Sequence, residues 1–494
     1  MVAQPAPTVA LPAGRRAAGW LLPVAGGLAA YASVLGRGGG VFGDPDPFYH
    51  VAVGRWIIAH GAVPRADPFS FSLPGAPWVA HEWLGELMFA VLHRAFGWGG
   101  LLFTAAALLA IAIGLLIAAL RRHVGDAIAL VGALSAWGLC FPHLLARPHV
   151  FALPLLVVWV AALDEARAAE RAPPLPLALL LTLWANLHGS YMLALGLAAL
   201  FAGEAVFEAA TPRAALVALR RWGVFGALAA GAALVTPNGL PGVVLPFEMA
   251  RLDFALSWVN EWQSPNFQAM HPLEGWLLLV LLGALTLGVR LPVTRIAMLL
   301  VLLHLALTHQ RHGEILGLAA PLLVARALAP QLGAHLAAPE MARLGRVLAA
   351  RLAPATARRI GLAAVVLVAA LASALRLPNP DISSPFTPQA ALAAVRARGV
   401  TGHVFNEFNY GGYLIYSGIA PFVDGRIDMY RDVFLQRYSK LSELPGLLQQ
   451  YDISWTLLDP KRERAALMDH LPGWTRLYAD DIAVVHVRTG AAAR

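Results

Sequence analysis

GDPDPFYHVAVGRW (43–56), followed by ADPFSFSLPGAPWVAHEWLGE (66–86), comes directly after the first apolar segment of the chain. The two stretches hold Asp44, Asp46, His50, Arg55, Asp67, His81, Glu82 and Glu86. Around them the 494-residue chain is 58% hydrophobic and 13% charged, against the roughly 25% charged residues of soluble domains. With a mean hydropathy of +0.63, such a composition describes a polytopic α-helical membrane protein. Ionisable groups at membrane depth are costly and mark a pathway or a site. This loop is therefore the first place to look for function.

Apolar stretches of about 17–22 residues are long enough to cross the hydrocarbon core. They occur at 18–36, 98–120, 126–142, 150–167, 174–189, 191–209, 222–237, 273–289, 294–308, 313–329 and 359–376, which makes about eleven transmembrane helices. The arginines between them, Arg121/Arg122, Arg167/Arg171, Arg213/Arg220/Arg221 and Arg290/Arg295, then fall on one side, the cytoplasmic one by the positive-inside rule. The basic segment 331–358 is expected on that side as an interfacial helix. EWLGELMFAVLHRAF (82–96) contains Glu82, Glu86, His93 and Arg94. It is placed as a juxtamembrane or half-inserted helix, so that 37–97 forms one outer loop. Arg15 and Arg16 precede the first span without a convincing cleavage site, which reads as a retained anchor with a cytoplasmic N-terminus.

An odd number of crossings puts the C-terminus outside. Residues 1–376 then form the transmembrane domain and 377–494 a small extracytoplasmic α/β domain. LPNPDISSPFTP (377–388) is a Pro-rich linker, and AALAAVRARG (390–399) is helical. YGGYLIY (410–416), APFVDGR (420–426), SWTLLDP (454–460) and IAVVHVR (482–488) are β-like runs. The location that follows is the cytoplasmic (inner) membrane of a bacterial-type cell. No internal repeat is evident, which speaks against an inverted-repeat transporter. The net charge of +8 is spread over short loops rather than gathered on one basic face, so nucleic acid is not an expected partner. Cys140 is the only cysteine, and no intramolecular disulfide is available.

Polar motifs gather at the outer ends of these spans: PHLLARPH (142–149), WANLHGS (184–190), NEWQSP (260–265) and HQRHGE (309–314). A transport pathway would place such groups near the midplane; a one-sided cluster describes a site at the outer surface. Asp44 and Asp46 are candidates for a general base or a metal-ligand pair. Their spacing sets both carboxylates on one side of an extended loop stiffened by Pro45 and Pro47, unless Asp-Pro serves only as a turn. His81 and Glu82 could complete a metal or acceptor site; alternatively Glu82 and Glu86 simply suit a helix N-terminus. Arg147, between His143 and His149, breaks the positive-inside trend and needs an anion. That anion is a phosphate held bidentately, or else Asp44 or Asp46. Arg311 and His312 could hold a second phosphate, or snorkel to headgroups. Asn186, His188, Glu261 and Trp262 are candidate sugar contacts, with packing or interface anchoring the alternative for Trp184 and Trp262. Asp424, Arg426 and Asp428 fix a turn by ion pairing or touch substrate. Zinc is disfavoured, because the chain lacks both the cysteines and an HExxH helix.

The loop with Asp44 and Asp46, the LLARPHVF segment (144–151), the basic inner loops and a C-terminal outer domain together resemble the GT-C superfamily. These are polyprenyl-phosphate-dependent glycosyltransferases, and within them the likeness is to bacterial glycosyltransferase-39-like membrane proteins. Protein O-mannosyltransferases and lipid A aminoarabinose transferases are similar in layout. The resemblance implies transfer of a sugar from a polyprenyl-phosphate donor to a glycan, lipid or protein acceptor at the outer membrane face, with membrane lipid around it. It puts Asp44 or Asp46 near the acceptor as base or metal ligand, leaving a divalent metal ion open as cofactor, and puts Arg147 on the donor phosphate. The chain departs from the pattern in two places. Its loop lacks an adjacent Asp-Glu pair, and HEW (81–83) stands where O-mannosyltransferases have His-Pro-Pro. A non-catalytic GT-C-like scaffold that binds a lipid-linked glycan or a partner protein is the alternative.

Overall fold

The computed structural model describes residues 19–336 and 380–489. Its helical part runs through α1 (Leu21–Arg37), α2 (Asp46–His60), α3 (Trp83–Leu120), α4 (Asp126–Cys140), α5 (Ala152–Ala168) and α6 (Leu179–Leu187). It continues through α7 (Tyr191–Phe207), α8 (Pro212–Ala233), α9 (Gly239–Met249), α10 (Pro272–Leu287), α11 (Val293–Thr308) and α12 (Gly313–Leu336). Among the described residues five helical stretches, Trp83–Leu120, Asp126–His143, Pro148–Ala168, Pro212–Ala233 and Gln310–Leu332, are long and apolar enough to cross a membrane. α10 turns Leu278, Leu279, Leu281, Leu282 and Leu285 outward, an apolar exterior that suits lipid rather than water. The expected span 359–376 and most of segment 331–358 lie outside the described residues.

The expected outer loop 37–97 is largely helical. Pro45 and Pro47 flank the first residue of α2, where a missing N–H costs nothing because the first turn leaves those donors unpaired. Asp46 is therefore a helix start, not part of an extended loop, and its N–H donates to Asp44 Oδ1 at 2.9 Å. Residues 83–96 run on into the expected span 98–120. Gly97, at φ 61°, breaks α3 between the two halves, a backbone turn that glycine makes without steric cost. α2 docks against α3 through Gly54, where an added Cβ would stand 2.0 Å from the Glu86 carbonyl oxygen. That close approach sets the spacing between the acidic and imidazole groups carried by the two helices.

Two expectations about the arginines need correction. The span expected at 222–237 begins at Pro212, capped by the Thr211 side chain accepting from the Ala214 N–H, so Arg213, Arg220 and Arg221 lie on a helix and not in a loop. Arg295 is not a loop charge either. It is buried in α11, donating to Glu204 at 2.6 Å and ion-paired with Asp164 at 2.8 Å, with its guanidinium over the Phe201 ring. Asp164 and Glu204 lie near the C-terminal ends of α5 and α7, so this cluster pins the bundle at the end opposite His149 and His188.

The C-terminal part holds a four-stranded sheet in the order β1 (His403–Asn406), β2 (Ile453–Leu458), β4 (Val484–Arg488), β3 (Trp474–Ala479). β1 pairs parallel to β2, and the other pairings are antiparallel. The expected β-run YGGYLIY is instead a short helix, Gly411–Tyr416, and APFVDGR forms no strand. Both segments pack against the α2 region, and side contacts there outweigh the β-propensity of their aromatics. One apolar cluster joins Val53, Ile57 and Trp78 to Phe405, Phe422 and Tyr430. The tail thus shares a core with the segment that carries the acidic loop.

Candidate active site

A cavity of about 730 Å³ opens between the helical part and the sheet domain. Asp44, Asp46, His81, Glu82, Arg147, His149, His188, Glu261, Arg311 and His312 all line it. They come from segments far apart in sequence, and they fall into two linked groups.

Arg147 is the centre of the first group. It lies between the end of α4 and the start of α5, on extended backbone just before Pro148. Its Nε and Nη2 donate to the two oxygens of Asp44 at 2.9 and 3.0 Å, Nη1 donates to Glu261 at 2.5 Å, and Nη2 also meets Asp46. A planar guanidinium is the one side chain whose fork serves three carboxylates in this way. Glu261 turns its other oxygen to Arg311 Nη1 at 3.0 Å, and the Arg311 guanidinium lies over the Trp262 ring. Among the described residues Arg311 has no other acceptor, which leaves most of its donors facing the cavity. Burial acts to raise the Glu261 carboxyl, but Arg147 and Arg311 outweigh it and hold it down to about 2. Asp46 goes the other way. Burial pushes its carboxyl well above the usual range against the pull of Arg147, and Asp44, Glu261 and Glu82 add to the rise.

Glu82 organises the second group. His188 Nε2 is 3.2 Å from Glu82, His50 Nε2 3.6 Å and His81 Nε2 3.7 Å, while His50 Nδ1 reaches Glu86 at 3.1 Å. His188 Nδ1 is 2.7 Å from Ser190 Oγ. Burial holds the His50 imidazole well below its ordinary value, and the neighbouring cationic groups push the same way. His149 is 3.6 Å from Glu314, and His312 Nδ1 is 3.2 Å from the Leu305 carbonyl oxygen.

The cavity also includes Arg37, Tyr49, His50 and Glu86, to which the sequence assigned no role. A signal for His50 and Glu86 was present. Asp46/His50 and Glu82/Glu86 are i, i+4 pairs, and each pair shares a helix face once both segments are read as helices. Other candidates fall to structure. Trp184 is buried, with Nε1 on Ser190. Asn186 is spent on Trp83 and on the carbonyls of Thr182 and Val235. Asp424 binds Arg426 at 2.7 and 2.6 Å, and Arg426 also reaches Asp67 at 2.7 Å, so this trio fixes a buried turn. Asp428 lines the cavity.

Both the Asp44 and Asp46 carboxylates are turned onto the Arg147 guanidinium. Among the described residues no group of three or more His, Cys, Asp or Glu is arranged to hold a metal ion. Chemically, the cavity offers a carboxylate with raised proton affinity, a guanidinium further along the same ion-pair chain, and imidazoles suited to hydroxyl groups.

No protein-family model matches the chain, and no curated protein matches it by sequence. Solved structures do match by fold. The archaeal oligosaccharyltransferase AglB from Archaeoglobus fulgidus, in complex with an inhibitory peptide and a dolichol-phosphate, aligns with a TM-score of 0.54 at 12% identity, over 96% of this chain and 75% of its own. ArnT from Cupriavidus metallidurans in the apo state aligns with a TM-score of 0.52 at 15% identity, over 97% of this chain and 100% of its own. ArnT bound to undecaprenyl phosphate gives 0.50 at 13% identity, over 98% and 100%. The chain shares its fold with AglB and with ArnT.

Proposed function

We propose that this protein transfers a sugar from a polyprenyl-phosphate donor to an acceptor at the outer face of the cytoplasmic membrane. The observation that carries the proposal is the meeting of Asp44, Asp46, Arg147, Glu261 and Arg311 in one cavity. The fold shared with proteins solved with dolichol-phosphate and undecaprenyl phosphate supports the donor class.

Asp46 takes the proton of the acceptor hydroxyl as that oxygen attacks the anomeric carbon. The bond from the anomeric carbon to the phosphate oxygen breaks, configuration inverts, and polyprenyl phosphate leaves. Charge builds on the leaving phosphate, and Arg311, with donors to spare, is placed to stabilise it. Arg147 acts differently. Held by Asp44, Asp46 and Glu261, it fixes the base. The Glu82 group, with His188 and His50, orients sugar or acceptor hydroxyls.

The test is turnover. Purified protein incubated with polyprenyl-phosphate sugars should release polyprenyl phosphate and form glycosylated acceptor. The Asp44→Asn/Asp46→Asn double variant should be folded and inactive. Undiminished product from that variant would sink the assignment, and a wild-type protein that binds donor without turnover would establish the scaffold role instead.

A further inference from the structure

The turn Asp424–Gly425–Arg426 of the C-terminal domain lies directly against the acidic loop. A Cβ added to Gly425 would stand 2.7 Å from Asp46 Oδ1 and 3.7 Å from its Cγ, with Tyr49 Cε1 also at 3.7 Å. Gly425 does not have the positive φ that would demand glycine. The space beside the carboxylate is what excludes a side chain. The turn itself cannot retreat easily. Arg426 is bonded to Asp424 and Asp67, Tyr430 donates to Asp424 at 2.9 Å, and all four are buried. Breaking such a fully buried pair strands an uncompensated charge, so a methyl group at 425 would move the carboxylate before it moved the turn. A second glycine serves a separate purpose: a Cβ on Gly412 would stand 2.4 Å from the Pro45 carbonyl oxygen, backbone that has no rotamer to yield.

We infer that the 424–426 turn is a wall of the reaction site and that Gly425 is a positioning residue for Asp46. The C-terminal domain therefore sets the geometry of the base and is not an appendage to the membrane part. Asp46 is held from one side by Arg147 and from the other by the bare backbone at Gly425. This inference rests on the reading of Asp46 as the proton acceptor, but its geometric half stands alone and is tested alone.

The experiment combines activity and stability in Gly425→Ala, Asp46→Ala and the double variant of the full-length protein. If the carboxylate is displaced by about 1 Å, kcat should fall on the order of 100-fold, with the KM for donor changed far less. Thermal unfolding in detergent gives the second readout. Gly425→Ala should lower the midpoint in the wild-type background and leave it unchanged in the Asp46→Ala background, where the new methyl meets no carboxylate. Gly412→Ala should lower the midpoint equally in both backgrounds, because its obstacle is Pro45. A wild-type kcat in Gly425→Ala, or an equal midpoint shift in both Asp46 backgrounds, overturns the positioning role. Absence of transfer by the wild type refutes the functional reading instead, and the unfolding comparison still decides the geometry.

Discussion

Arg147 and Asp44 should be energetically coupled, and the structure sets the size of the coupling. Arg147→Ala removes two hydrogen bonds to Asp44, one to Glu261 and the contact with Asp46. Asp44 and Asp46 are then left without a counter-charge, and Glu261 keeps only Arg311. Removing one partner of a buried ion pair costs about 3–5 kcal/mol. Here the side chains keep 12% exposure at Arg147, 17% at Asp44, 18% at Asp46 and 25% at Glu261, so water softens the loss toward about 3 kcal/mol. Asp44→Asn alone removes a charged acceptor from two good bonds, a loss of roughly 1.5–3 kcal/mol. In the Arg147→Ala background the same change removes a repelling charge and should be neutral or stabilising. The expected coupling is therefore about 2 kcal/mol, within the usual range for residues in one network. Chemical or thermal unfolding of the four proteins in detergent measures it. If Asp44→Asn costs the same with and without Arg147, the ion-pair network is not what holds this loop.

Acidification should expose the same network. The Glu261 carboxyl is held at about 2, below its ordinary 4.5, so its stabilisation is complete above pH 4.5 and is lost as pH falls toward 2. By linkage that amounts to about 3 kcal/mol, and Glu261→Gln should flatten the pH dependence of unfolding in that window; an identical acid profile for the variant would contradict it. Arg426→Ala leaves Asp67 and Asp424 buried without their cation. It should lower stability by about 3–5 kcal/mol and speed proteolytic release of the C-terminal domain, whereas unchanged protease resistance would show that the trio does not fasten the domain. At the opposite end of the bundle, Arg295→Ala should be strongly destabilising and partly rescued by Glu204→Gln; additive losses would argue against the cluster seen there.

The candidate site was legible in the sequence as a set of ionisable groups, because charge in an apolar chain must find partners. Asp44, Asp46, Arg147, Glu261 and Arg311 stood out against long runs of leucine and alanine, and each lay at a helix end where the others could reach it. Which partner each would choose was not legible. Arg147 could equally have been free for phosphate, and only the three-dimensional meeting with Asp44, Asp46 and Glu261 decides that its fork is filled. Arg295 was hidden for the reverse reason: its position near a helix start looks like a basic loop, while its partners Asp164 and Glu204 come from other helices. YGGYLIY carries aromatic and β-branched residues that favour a strand, yet Gly411 and Gly412 are there for close backbone approach to Asp424 and Pro45, a tertiary demand that local propensity does not carry. Helix α2 was obscured by its two prolines, which read as loop punctuation and act as a helix start.

The position of the lipid phosphate decides most about this cavity. A structure of the protein bound to undecaprenyl phosphate should place the phosphate within hydrogen-bond distance of Arg311, inside the cavity and across from Asp46. Phosphate bound elsewhere, with Arg311 still engaged only by Glu261, would overturn the assignment of donor site and base alike.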